Sequence, residues 1–153
     1  MRVHYAFDTS LPPEAVVAAL TDFSESRPNI WPNLDPTKYQ VHEHSQNSAV
    51  VTEGNRRPNI WARERYDWSV PGRVSWKAED SNFWAPGSGV VATVSASQDG
   101  GSRVTIDWKR TPTSLLGYVA MLSVRIGKDR VLGYKTALDK LAHTDSSSLL
   151  RAA

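Results

Sequence analysis

The sequence predicts one α+β domain, in which an antiparallel sheet of seven strands packs against a long C-terminal helix and two short helices follow the first strand. Three observations carry this. Residues 2–8 alternate with a period of two, residues 38–111 keep that period through repeated turn signals, and from Leu115 to Leu141 the apolar spacing becomes helical.

In the first strand Val3, Tyr5 and Phe7 alternate with Arg2, His4 and Asp8, the pattern of a half-buried strand. Asp8-Thr9-Ser10 ends it. A helix over about 12–23 follows: Pro12 and Pro13 suit the first turn, Glu14 favours its positive end, and Val16, Leu20 and Phe23 recur at i, i+4, i+7. Pro28, Pro32 and Pro36 then limit any helix around Trp31 to a turn or two.

Turn residues at 45–48, 54–55, 71–72, 85–87 and 99–101 divide the next stretch into strands near 38–44, 49–54, 60–70, 73–81, 88–98 and 102–111. The pentapeptide Arg-Pro-Asn-Ile-Trp occurs at 27–31 and at 57–61, but unlike flanks argue for coincidence rather than duplication. In the last segment Leu115, Val119, Leu122 and Ile126, then Val131, Tyr134, Leu138 and Leu141, share helical spacing and predict one long helix. Gly117, Gly127 and Gly133 lower its propensity, so either a close approach to the sheet or a break at Gly127 is expected. The domain should span 1–143, with a frayed Ser-rich tail over 144–153.

Composition bounds the function. A length of 153 residues suits one core, and a formal charge of +2 without a basic block argues against a nucleic-acid partner. The absence of Cys excludes disulfides and thiolate chemistry. No apolar leader and no run of roughly 20 apolar residues is visible, so a cytoplasmic protein without a membrane span is expected, as monomer or homodimer. Six Trp suggest either a heavily packed core or a surface built to hold something apolar.

The order strand, helix, short helix, six-stranded meander and long helix resembles the START-like (SRPBCC) superfamily, in particular its polyketide cyclase/dehydrase-like branch. The likeness is carried by Asp8-Thr9-Ser10-Leu11-Pro12-Pro13-Glu14-Ala15-Val16, Leu20-Thr21-Asp22-Phe23, Trp31, Gly87-Ser88-Gly89-Val90 and the terminal helix. It implies a helix-grip fold, the sheet curved around the last helix with a pocket between them.

Alternation assigns the inward face: Ile60, Ala62, Glu64, Tyr66, Trp68 and Val70; Val74, Trp76 and Ala78; Val90, Ala92, Val94 and Ala96; Val104, Ile106 and Trp108. With Tyr5 and Phe7 of the first strand, Tyr66, Trp68, Trp76, Ala92 and Trp108 are the candidate wall of a ligand site. A dry core of interdigitating large and small side chains would give the same pattern. Glu64 is the one carboxylate in the apolar set, and it must be paired, protonated or wetted. It either contacts ligand, as the weak candidate for a catalytic acid or base, or pairs with a neighbouring cation.

Leu115 to Val124 carries no charge and is apolar around much of the helix. Tyr118, Met121 and Leu122 are therefore candidates to cover or contact a ligand; alternatively the segment meets another protein or rests peripherally on a membrane. His42 and His44 lie two apart without a third ligand, so no metal is expected, and no cofactor motif survives inspection. The leading reading is binding or transport of a small hydrophobic ligand such as a lipid, isoprenoid or polyketide-like compound. An aromatase/cyclase or dehydratase-type enzyme, and a protein-interaction module, are the alternatives.

Overall fold

The computed structural model describes residues 1–57, 59–126 and 133–151. Seven strands, β1 (Arg2–Thr9), β2 (Gln40–His44), β3 (Ser48–Asn55), β4 (Ile60–Asp67), β5 (Arg73–Ser81), β6 (Gly89–Ala96) and β7 (Ser102–Lys109), form one antiparallel sheet in the order β1-β7-β6-β5-β4-β3-β2. The meander from β2 to β7 follows the chain, and β1 returns to pair with β7 along its whole length, from Arg2 with Lys109 to Thr9 with Ser102.

Strands consecutive in sequence, β1 and β2, thus lie at opposite edges, so the chain between them must cross the sheet. That crossing carries α1 (Pro13–Thr21), the single turn α2 (Arg27–Ile30) and a 3-10 turn (Pro36–Lys38). Val16 and Leu20 of α1 are buried, and the helix lies against β5 and β6. It ends two residues before the expected 23, because Asp22 turns extended at φ −75 and ψ 105. The Arg27 guanidinium takes up the freed carbonyls: Nη1 donates to Leu20 O at 3.2 Å and to Asp22 O at 2.9 Å.

The inward face is as the alternation sets it through Ala62-Glu64-Tyr66, Val74-Trp76-Ala78, Val90-Ala92-Val94 and Val104-Ile106, all buried. It fails at strand ends. β4 stops at Asp67 and β6 at Ala96, so Val70 and Ala96 are exposed and Trp68 is only partly buried.

Among the described residues the expected long helix is interrupted, with α3 (Leu115–Ile126) before the break and α4 (Tyr134–Arg151) after it. Gly133 sets the second boundary with a φ of +67, a left-handed conformation that no helix interior contains. Gly117 shows a close approach instead: a Cβ there would sit 2.6 Å from Pro112 Cβ and 3.2 Å from Phe83 Cζ. Gly127 lies outside the described residues, while α4 continues to Arg151, through the stretch read as a tail. It is α4 that lies against β1, with Ala137 and Leu138 buried in the main core. Among the described residues no helix is long and apolar enough to cross a membrane.

Candidate functional site

Among the described residues, the interior between the inner sheet face and α4 is largely apolar and holds two buried charge clusters. The first lies on β4 and the end of β7. Glu64 is aimed inward beside a register shift between Arg63 and Glu64, where β5 inserts Glu79 between the partners Ala78 and Asp80. Arg110, one step past β7, continues the inward set Val104, Ile106 and Trp108. The two meet: Arg110 Nη2 lies 2.5 Å from Glu64 Oε1, with side-chain exposures of 4% and 7%. Burial nevertheless pushes the Glu64 carboxyl above its ordinary range, outweighing the attraction of Arg110. The Arg110 guanidinium also lies 5.6 Å from the ring centroids of both Trp84 and Trp108, and Nη1 donates to Ser88 O at 3.4 Å.

The second cluster joins α2 to β3 and β4. Arg27 Nε donates to Glu53 Oε1 at 2.5 Å, and Tyr66 Oη donates to Glu53 Oε2 at 2.8 Å. The guanidinium lies over the Phe23 ring at 4.5 Å and near Trp31 and Tyr66 at 5.7 and 5.5 Å. Burial, reinforced by Glu53, raises the Tyr66 phenol well above its usual value, so it stays a donor.

Tyr134, the first residue of α4, bridges the clusters. Its ring meets Trp31 at 5.8 Å and Trp76 at 6.2 Å, and Trp76 stacks on Tyr66 at 5.4 Å. Burial raises its phenol too, with Trp108 and Arg110 acting in the opposite sense. Two N–H donors here, Trp31 Nε1 and Arg110 Nε, are buried without a hydrogen-bond acceptor among the described residues.

Of the candidates read from the sequence, Tyr5, Phe7, Tyr66, Trp76 and Ala92 are buried together in the main core, and Trp68 and Trp108 border it. Glu64 faces the same interior, as one half of an ion pair. Met121 is fully buried in a separate small cluster with Val3, bordered by Met1, Trp84 and Trp108. Tyr118 and Leu122 stand apart, about half exposed on α3 at 47% and 51%. His42 instead bonds Thr52 Oγ1 at 2.7 Å, and no group of three or more His, Asp or Glu gathers among the described residues.

Sequence reasoning missed Arg110, Arg27, Glu53 and Tyr134 as site residues. Arg110 and Glu53 had a signal, since each continues an inward register, Glu53 lying opposite Ala62. Arg27 had none. An open depression of about 370 Å³ lined by Thr37, Lys38, Tyr39, Gln40, Thr52 and Trp61 lies elsewhere, toward the outer register of β3 and β4.

No family model and no curated protein sequence matches the chain. Its fold is nevertheless shared with solved structures. A protein from Thermus thermophilus superimposes with a TM-score of 0.75 at 14% identity, covering 95% of this chain and 99% of that one. A START superfamily protein from Mycobacterium smegmatis gives 0.67 at 8% identity over 90% and 98%. The Zhui aromatase/cyclase from Streptomyces sp. R1128 gives 0.67 at 15% identity over 92% of each chain. The fold is therefore the helix-grip fold expected from the sequence, shared with these structures; identities this low carry the fold alone.

Proposed function

We propose that the protein binds a small, largely apolar ligand bearing acceptor oxygens, held between the inner sheet face and α4. The observation that carries this is the pair of buried donors, Trp31 Nε1 and Arg110 Nε, left without acceptors amid Tyr66, Trp76, Trp108 and Tyr134. A buried donor without a partner costs about 1–3 kcal/mol, which a carbonyl, hydroxyl or anionic oxygen of a ligand would recover. Aromatic walls supply the apolar contact, and a plain hydrocarbon would leave both donors unsatisfied. The shared fold of a START superfamily protein and an aromatase/cyclase supports the same reading.

Anilinonaphthalene sulfonate, an aromatic probe with an anionic oxygen group, tests it by fluorescence titration. The expected result is one saturable site, displaced by a hydroxylated aromatic ketone and weakened in Trp31→Phe. A natively folded protein with no saturable site, or a Trp31→Phe variant that binds as tightly as the parent, refutes the reading.

One observation favours a second reading, an enzyme of cyclase or dehydratase type. Glu64 is a buried carboxyl held toward its protonated form beside a cation, the arrangement of a general acid. Its test is Glu64→Gln: retained probe binding with loss of turnover on a linear poly-ketone supports catalysis, and unchanged turnover excludes it.

A further inference from the structure

The two buried guanidinium groups differ in how fully their donors are used. Arg27 is occupied: Nε donates to Glu53 Oε1 at 2.5 Å, Nη1 to the carbonyls of Leu20 and Asp22, and Nη2 to Tyr66 Oη at 3.4 Å. Arg110 is not. A guanidinium offers five N–H donors. Here Nη2 meets Glu64 Oε1 at 2.5 Å, Nη1 reaches Ser88 O only at 3.4 Å, and Nε has no acceptor among the described residues. The Trp84 and Trp108 rings flank the group at 5.6 Å and offer it aromatic faces rather than acceptor oxygens.

Glu64 is an imperfect counterion for that cation. It is buried, and burial favours its protonated form despite Arg110. Once protonated, it leaves Arg110 as a buried cation without a counter-charge, a costly state that a second anion would relieve. Two anions cannot share the guanidinium at full charge, because like charges in an apolar interior raise one another's pKa. The other groups directed at Glu64 do not take either part. Glu53 of β3 and Arg27 of α2 neutralise each other, and Tyr66 of β4 and Tyr134 of α4 are phenols held neutral by burial. The strand neighbours of Glu64, Val51 on β3 and Ala78 on β5, carry no charge.

We infer that the ligand is an aromatic carboxylic acid, that its anion takes Arg110 as counterion, and that Glu64 takes up a proton as it binds. The exchange keeps the interior neutral: the ligand's carboxylate replaces the charge of Glu64, and the protonated Glu64 becomes an O–H donor beside it. The inference rests on the ligand site proposed above and adds the ligand's charge and its proton. A ligand that favours the protonated protein binds together with that proton. Affinity for an anion should therefore fall as pH rises above the pKa of Glu64 in the free protein, by up to about tenfold per pH unit, and an uncharged ligand should show no such slope.

The test is the affinity, from acid to neutral pH, of anilinonaphthalene sulfonate, which stays anionic throughout, and of the uncharged acetonaphthone, each followed by fluorescence. The sulfonate should weaken with rising pH in the parent and lose that slope in Glu64→Gln, whose neutral amide stands for the protonated carboxyl. The ketone should show no slope in either protein. His44, an imidazole 6.2 Å from the Trp68 ring, is a rival source of a slope; a slope that survives Glu64→Gln overturns the proposal. Calorimetry on the parent needs no variant: the heat of sulfonate binding at neutral pH should differ between phosphate and Tris, whose ionisation enthalpies differ, because the buffer gives up the proton. Saturable binding with equal heats and no slope overturns the inference and leaves the ligand reading standing. No saturable binding of either probe removes that reading, and the inference with it.

Discussion

Glu64 and Arg110 form one of two buried ion pairs described in a largely apolar interior, and the carboxyl of that pair is held toward its neutral form by burial. Such a pair brings the fold little net stability, because removing two charges from water offsets most of their attraction. Its consequence is electrostatic: a cation and a protonatable group face the aromatic side chains where a ligand oxygen would arrive.

Removing the cation exposes that balance. In Arg110→Met the buried Glu64 has no partner, so its carboxyl is raised further above its ordinary 4.5. A raised carboxyl stabilises the fold fully below the unfolded value and loses that contribution as pH rises through the folded one. Urea unfolding should therefore show Arg110→Met close to the parent in acid and destabilised by about 3 kcal/mol at neutral pH. Adding Glu64→Gln should remove the pH dependence.

Arg27 is held by bonds that only a guanidinium can make at once, to Glu53, Leu20 O and Asp22 O. Arg27→Lys should recover little of the roughly 3 kcal/mol lost in Arg27→Met, because one ammonium cannot span three diverging acceptors. Tyr66→Phe, which deletes the donor to Glu53, should cost about 1–2 kcal/mol. Equilibrium unfolding of the three variants checks both statements.

The strands were legible in the sequence because each is bounded by turn residues and alternates against one buried face. The helical segment was not. Its apolar spacing runs unbroken from Leu115 to Leu141, while the start of α4 is set by a left-handed residue, Gly133, that periodicity does not see. Glu64 was legible as the one polar residue of an apolar set, and Arg110 followed from the same register extended by one step. Arg27 was not, since it belongs to a proline-limited segment without period. The identical pentapeptide at 57–61 places Arg57 in solvent and Trp61 on the outer face, whereas the first copy buries Arg27 and Trp31. Tertiary surroundings, not local sequence, separate the two.

That α4 rather than α3 is the core helix has a direct consequence. Leu138→Ala, at a fully buried position, should destabilise by about 2–5 kcal/mol. Leu115→Ala, 83% exposed, should stay within about 0.5 kcal/mol of the parent. Thermal or urea unfolding measures both.

The indole N–H resonances of the six Trp residues test the ligand site most directly. During titration with anilinonaphthalene sulfonate, the signals of Trp31, Trp76 and Trp108 should shift together and saturate, while that of Trp61, on the outer register of β4, stays in place. Saturation with no movement of Trp31, Trp76 and Trp108, or movement confined to Trp61, would contradict a binding site between the sheet and α4.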